Sequence, residues 1–274
     1  CFSLIYNVFL SPNLRGVGLF FFLLAFIGIT FKKILRSPIL WACVLLLLGY
    51  KLVTADTAFT GRFLNFYWTL AIFIGLLIKK PRFIMVANAR WLVGLAFVQA
   101  FLWKAINIDF ITGNFMRFSL QFCTVFRKPV NRMGLIDPNL HSSNTDLWNS
   151  IMLANGQVAP AAVNEPALLT MIALFMTFWI LIVEGGTAFA FLAPSNWRLS
   201  KLRHPFLLLF MWSVYLIIPV WVFAGLFSAM GLCLTKSRDR VWRIAYVFTF
   251  FAMIVLEYGM DIPALVEKIS RRLL

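Results

Sequence analysis

Four ionisable side chains sit inside otherwise apolar runs: Lys51, Lys104, Glu184 and Glu257. A charge at the centre of a membrane helix costs roughly 2.5–3.5 kcal/mol on insertion scales, so each such residue asks for a purpose. Lys51 follows Leu45 to Tyr50 near the end of a run, where its stem can snorkel to water. Lys104, in Trp103-Lys104-Ala105, can snorkel as well, or reach a buried partner. Glu184, in Ile182-Val183-Glu184-Gly185-Gly186, is too short to snorkel and lies deep in its run. It must carry a proton or meet a basic or hydroxyl partner. Gly185 and Gly186 favour close contact with another helix rather than lipid exposure. Glu184→Gln is therefore expected to fold. Lys104 and Glu184 are the candidate catalytic residues. Converging on a hydrophobic pocket, they would suit a quinone- or lipid-modifying enzyme. Glu184 and Glu257 together would suit proton conduction, but the chain shows no inverted repeat of the kind transporters use.

The remaining chemistry-bearing residues do not cluster. His141 lies in a polar stretch, and His204, before Pro205, marks a helix boundary. On the topology below they fall on opposite sides, so they share no metal. Cys1, Cys43, Cys123 and Cys233 have no ligand-type spacing and read as small buried hydrophobes. No metal site, nucleophile elbow, phosphate-binding loop or GxGxxG appears, so no motif alone fixes a reaction.

The elements that must position these residues are apolar helices. Of 274 residues, 62% are hydrophobic and 13% charged, and mean hydropathy is +0.87. Soluble domains hold about 45–50% apolar residues and a quarter charged ones. An ordinary soluble enzyme, a disordered chain and a disulfide scaffold are thereby excluded. Twenty-five Lys and Arg against ten acids give a net charge of +15. In so apolar a chain these charges cap spans on the anionic-lipid side rather than bind nucleic acid. Continuous rather than alternating apolar runs exclude a β-barrel.

The expected fold is all-α: a single transmembrane bundle over 1–274. Apolar segments fall at 14–31, 39–54, 63–78, 83–106, 166–193, 205–234 and 241–260, about seven spans. The chain opens on Cys1 rather than Met, and residues 1–11 are expected to be the tail of a span or an interfacial segment. Basic clusters at Lys32–Arg36, Lys79–Arg82 and Arg198–Arg203 all fall on one, cytoplasmic, side. Residues 107–165 then form an extracytoplasmic loop. Within it, 115–126 reads as an interfacial helix with Arg117 and Gln121 on its wet face. Residues 129–165, rich in Pro, Gly and Asn, read as a folded loop over the bundle mouth. The basic loop Lys236–Arg240 breaks the topology unless 205–234 is interrupted, as Pro219 allows. Both alternatives stand.

The stretch Leu102-Trp103-Lys104-Ala105-Ile106-Asn107-Ile108-Asp109-Phe110-Ile111-Thr112-Gly113 resembles a recurring element of the horizontally transferred transmembrane (HTTM) family. That family includes the membrane part of vitamin K-dependent γ-carboxylases. Glu184 inside a span and His204 opening the next are similar to the family's order, and the likeness extends over residues 83–260. The carboxylase element carries two adjacent lysines, the second being the base that acts on vitamin K hydroquinone. Lys104 matches the first, and the base position falls on Ala105. The carboxylases also carry a large lumenal domain after the membrane part, whereas residues 261–274 alone follow the last expected span. The resemblance implies the fold more than the reaction.

The expected function is that of an HTTM-like integral membrane protein without a complete catalytic site. It would be a structural or accessory subunit of a larger membrane complex, in the bacterial cytoplasmic membrane, with lipids and other membrane subunits as partners. The alternative is a quinone- or lipid-modifying enzyme related to the carboxylases, with a quinone as its cofactor.

Overall fold

The computed structural model describes residues 33–53, 60–123, 136–153, 167–215 and 221–259, together with Phe126, Val130 and Gly134. The expected segment 14–31 lies outside them. The described residues are helical or in turns, without strands. The helices are α1 (Pro38–Val53), α2 (Thr60–Leu77), α3 (Pro81–Ile106), α4 (Ile108–Ile111), α5 (Asn114–Phe122), α6 (Pro138–Leu153), α7 (Ala167–Leu192), α8 (Arg203–Val214), α9 (Trp221–Leu234) and α10 (Arg240–Gly259). Prolines open α1, α3 and α6, at the one helical position where a missing N–H costs nothing.

Among the described residues two helices, Pro81–Ile106 and Leu168–Leu192, are long and apolar enough to cross a membrane. Pro38–Val53, Gly61–Leu77 and Phe223–Leu234 are apolar but shorter. The run expected at 205–234 is not one helix. α8 stops at Val214, where Tyr215 N–H donates to Met211 C=O, and α9 starts at Trp221. Residues 216–220, Pro219 among them, lie outside the described ones.

The chain divides into two compact units. The first comprises residues 1–96, 187–215 and 220–274. In it α1 packs on α2, α9 on α10, and α8 on both α9 and α10. Trp68, Leu207, Met230, Tyr246 and Phe250 are buried at these seams. Removal of such side chains from water is worth roughly 1.5–3 kcal/mol each where the surroundings are aqueous. The second unit comprises 97–186 and 216–219. Its buried side chains include Phe97, Phe110, Met116, Leu120, Leu169 and Ile180.

Two expectations inside the second unit need correction. The helix expected at 115–126 is Asn114–Phe122, ending where Cys123 turns extended (φ −79°, ψ 123°). Gln121 is buried rather than wet, and Arg117 is half-buried. Next to α5 lies α6, a helix where the Pro/Gly/Asn content predicts only a folded loop. It packs on α5, and Trp148 meets Phe118 edge-to-face at 4.7 Å and Phe122 at 6.0 Å. α4 and α6 both lie against α5, and Asn114 and Phe115 are its exposed residues. The signal for α6 was present: Asp137 Oδ1 accepts the Asn139 N–H at 2.8 Å, just ahead of a helix opened by Pro138. Residues 154–166 of the expected loop lie outside the described ones.

Candidate functional site

Lys104 stands in the last turn of α3, where cations suit the helix C-terminus. α3 ends at Ile106 because Asn107 turns extended (φ −86°, ψ 113°), and its Oδ1 accepts the Phe110 N–H at 3.3 Å, capping α4. Thr112 closes α4, and Gly113 adopts a left-handed φ of +79°. That conformation strains any residue with a Cβ, and a Cβ here would also lie 2.9 Å from Leu174 Cδ2. The tight double turn folds Phe110 back, so that Lys104 Nζ sits 5.7 Å from its ring centroid, within cation–π range.

Glu184 comes to the same place from α7. Gly185 allows it: a Cβ there would press on the Phe101 ring of α3 at 3.1 Å. Lys104 Nζ donates to Glu184 Oε1 at 2.7 Å and to Oε2 at 2.8 Å. The Glu184 side chain is 5% exposed and that of Lys104 19%. The two candidate residues therefore meet, and Glu184 has the basic partner its burial demands. Both lie in the second unit. Asp109 is exposed on α4.

Ion pairing determines what this arrangement can do. Both carboxylate oxygens accept from one ammonium, which uses two of its three donors. The ammonium has no lone pair to act as a base, and the carboxylate, paired with it through both oxygens, holds its negative charge against a fixed cation. Ala105, on the half-buried side of α3, brings no replacement.

The other candidates lie elsewhere. Lys51 is half-buried at the end of α1, in the first unit. His204, also in the first unit, has Nδ1 3.0 Å from Tyr246 Oη and its ring stacked on Trp242 at 5.6 Å. The side chains of His141 and Glu257 lie outside the described residues. Cys43, Cys123 and Cys233 are unpaired thiols, and none is fully buried as expected: Cys43 is exposed and the other two are half-buried. Among the described residues no group of three His, Cys, Asp or Glu is placed to hold a metal.

Sequence reasoning passed over a second polar cluster. In the first unit, Arg90 Nε donates to Phe191 C=O at 2.9 Å, and Nη2 to Leu192 C=O at 3.2 Å and Ala193 C=O at 2.7 Å. Arg203 donates to Ala190 C=O at 2.9 Å and Ala193 C=O at 2.6 Å. The two guanidinium groups thus close the C-terminus of α7, satisfying carbonyls that have no partner within the helix. The available signal was Arg90 itself, an arginine inside the apolar run 83–106.

Comparison with protein-family models, with curated proteins and with solved structures gives no match.

Proposed function

We propose that this chain is an integral membrane helical bundle of the HTTM type, of about seven spans, and that it serves as a structural or accessory subunit of a larger membrane complex. The observation that carries the proposal is the doubly hydrogen-bonded Lys104–Glu184 pair, 2.7 and 2.8 Å, with Ala105 beside it. In a carboxylase-like site the adjacent lysine would be the free base. Here the lysine present is neutralised, and the pair acts as a latch between α3 and α7.

Membrane residence is supported by the two long apolar helices and by what they expose. Leu95, Leu102 and Trp103 on α3, and Met171, Phe175 and Ile182 on α7, are all more than half exposed. In water so many large apolar side chains would be an aggregation hazard, whereas lipid or partner helices cover them. The basic clusters support a cytoplasmic side for those loops, in keeping with the positive-inside bias of bacterial membrane proteins.

Gentle purification from native membranes followed by mass spectrometry tests the proposal. Stoichiometric partner polypeptides are expected. Recovery of the chain alone with bound quinone, together with turnover that Glu184→Gln abolishes without change in thermal stability, would overturn it in favour of a quinone-modifying enzyme.

A further inference from the structure

The first unit carries a groove of about 680 Å³ along α10, lined by Arg240, Arg243, Ile244, Val247, Phe248 and Phe251, with Leu232 of α9 as its wall. The α10 positions recur at three- and four-residue spacing, so they form one helical stripe. The stripe is graded: two arginines at its start, then only apolar side chains. Ile244 is 69% exposed and Phe248 61%. Trp212 of α8 stacks on Phe248 at 5.8 Å.

Arg240 and Arg243 lie one turn apart on the same face, and neither guanidinium meets a carboxylate among the described residues. Lys236 and Arg238 on the preceding loop add to the positive field. The one acid there, Asp239, accepts the Lys236 backbone N–H at 3.0 Å through Oδ2. From Arg240 to Phe251 the helix rises about 16 Å. One leaflet of hydrocarbon is about 15 Å, half of the ~30 Å core.

We infer that this groove binds an anionic glycerophospholipid, its phosphate held between Arg240 and Arg243 and one acyl chain lying along Ile244, Val247, Phe248 and Phe251. The charge, the apolar stripe and its length fit one leaflet's lipid in order. Arginine's planar fork suits the phosphate oxygens. The inference rests on the membrane reading above.

The test uses the full chain reconstituted into phosphatidylcholine vesicles with or without phosphatidylglycerol, then released for native mass spectrometry. Phosphatidylglycerol is expected to be retained in preference to phosphatidylcholine. Its affinity should fall about thirtyfold in Arg240→Gln/Arg243→Gln, from the contribution of two arginines at an anionic surface. Val247→Phe, which narrows the groove and leaves both arginines intact, should also release the lipid. Equal retention of the two lipids by the unsubstituted chain overturns the inference, as does retention that both variants leave unchanged. Displacement of the lipid by inorganic phosphate alone would overturn it as well, leaving a simple anion site. A chain that inserts into vesicles without lipid preference refutes the groove alone. A chain that stays in the aqueous phase refutes the membrane reading, and the groove falls with it.

Discussion

Replacing Glu184 by Leu, Lys104 by Met, and both together separates a latch from an idle surface pair. At 2.7 Å and an effective dielectric of about 20, the gross attraction between the two charges is roughly 6 kcal/mol. Several kcal/mol per ion are needed to withdraw them from water, so the net contribution of the intact pair is near zero. The cost of breaking it is different, because one charge is left stranded. Glu184→Leu strands an ammonium whose side chain is 19% exposed, and Lys104→Met strands a carboxylate that is 5% exposed. Removal of one partner from a buried pair costs about 3–5 kcal/mol, and Lys104→Met should lie at the upper end because Glu184 is the more enclosed. The double variant should return to within about 1 kcal/mol of the original, since two apolar groups of similar volume replace the pair. Glu184→Gln, which still accepts from Lys104, should cost about 1–2 kcal/mol. Equilibrium unfolding of the detergent-solubilised chain, analysed as a double-mutant cycle, measures all four. Additive single effects, or Glu184→Leu costing under 1 kcal/mol, would refute the latch.

Arg90→Met should destabilise by about 2–3 kcal/mol, because it uncovers three carbonyl contacts at the end of α7. Arg90→Lys should recover only part of that loss in the same melts, since an ammonium cannot fork. Gly113→Ala should cost about 1–3 kcal/mol from its left-handed φ alone, with more from the Leu174 contact, and thermal shift will show it. Trp148→Ala should loosen α6 from α5, so that protease added to the 129–165 side cuts there first. Rapid cutting throughout that stretch in the unsubstituted chain would instead show that it is not folded.

Sequence alone determined the helical class and most helix boundaries. Hydrophobic runs with prolines at their starts leave the backbone few other choices, and the edges of α3, α7 and α10 fall within a few residues of the runs at 83–106, 166–193 and 241–260. It also singled out Lys104 and Glu184, because an ionisable group in an apolar run is costly wherever the run packs. What sequence could not decide was pairing across distance. Eighty positions separate Lys104 from Glu184, and nothing local says whether each finds water, lipid or the other. The same limit hid the Arg90 contacts to residues 191–193, since backbone carbonyls look alike in every helix until tertiary structure brings a donor to one end. Gln121 shows it at a single residue: its helix can be read locally, but only tertiary packing decides which of that helix's faces are dry.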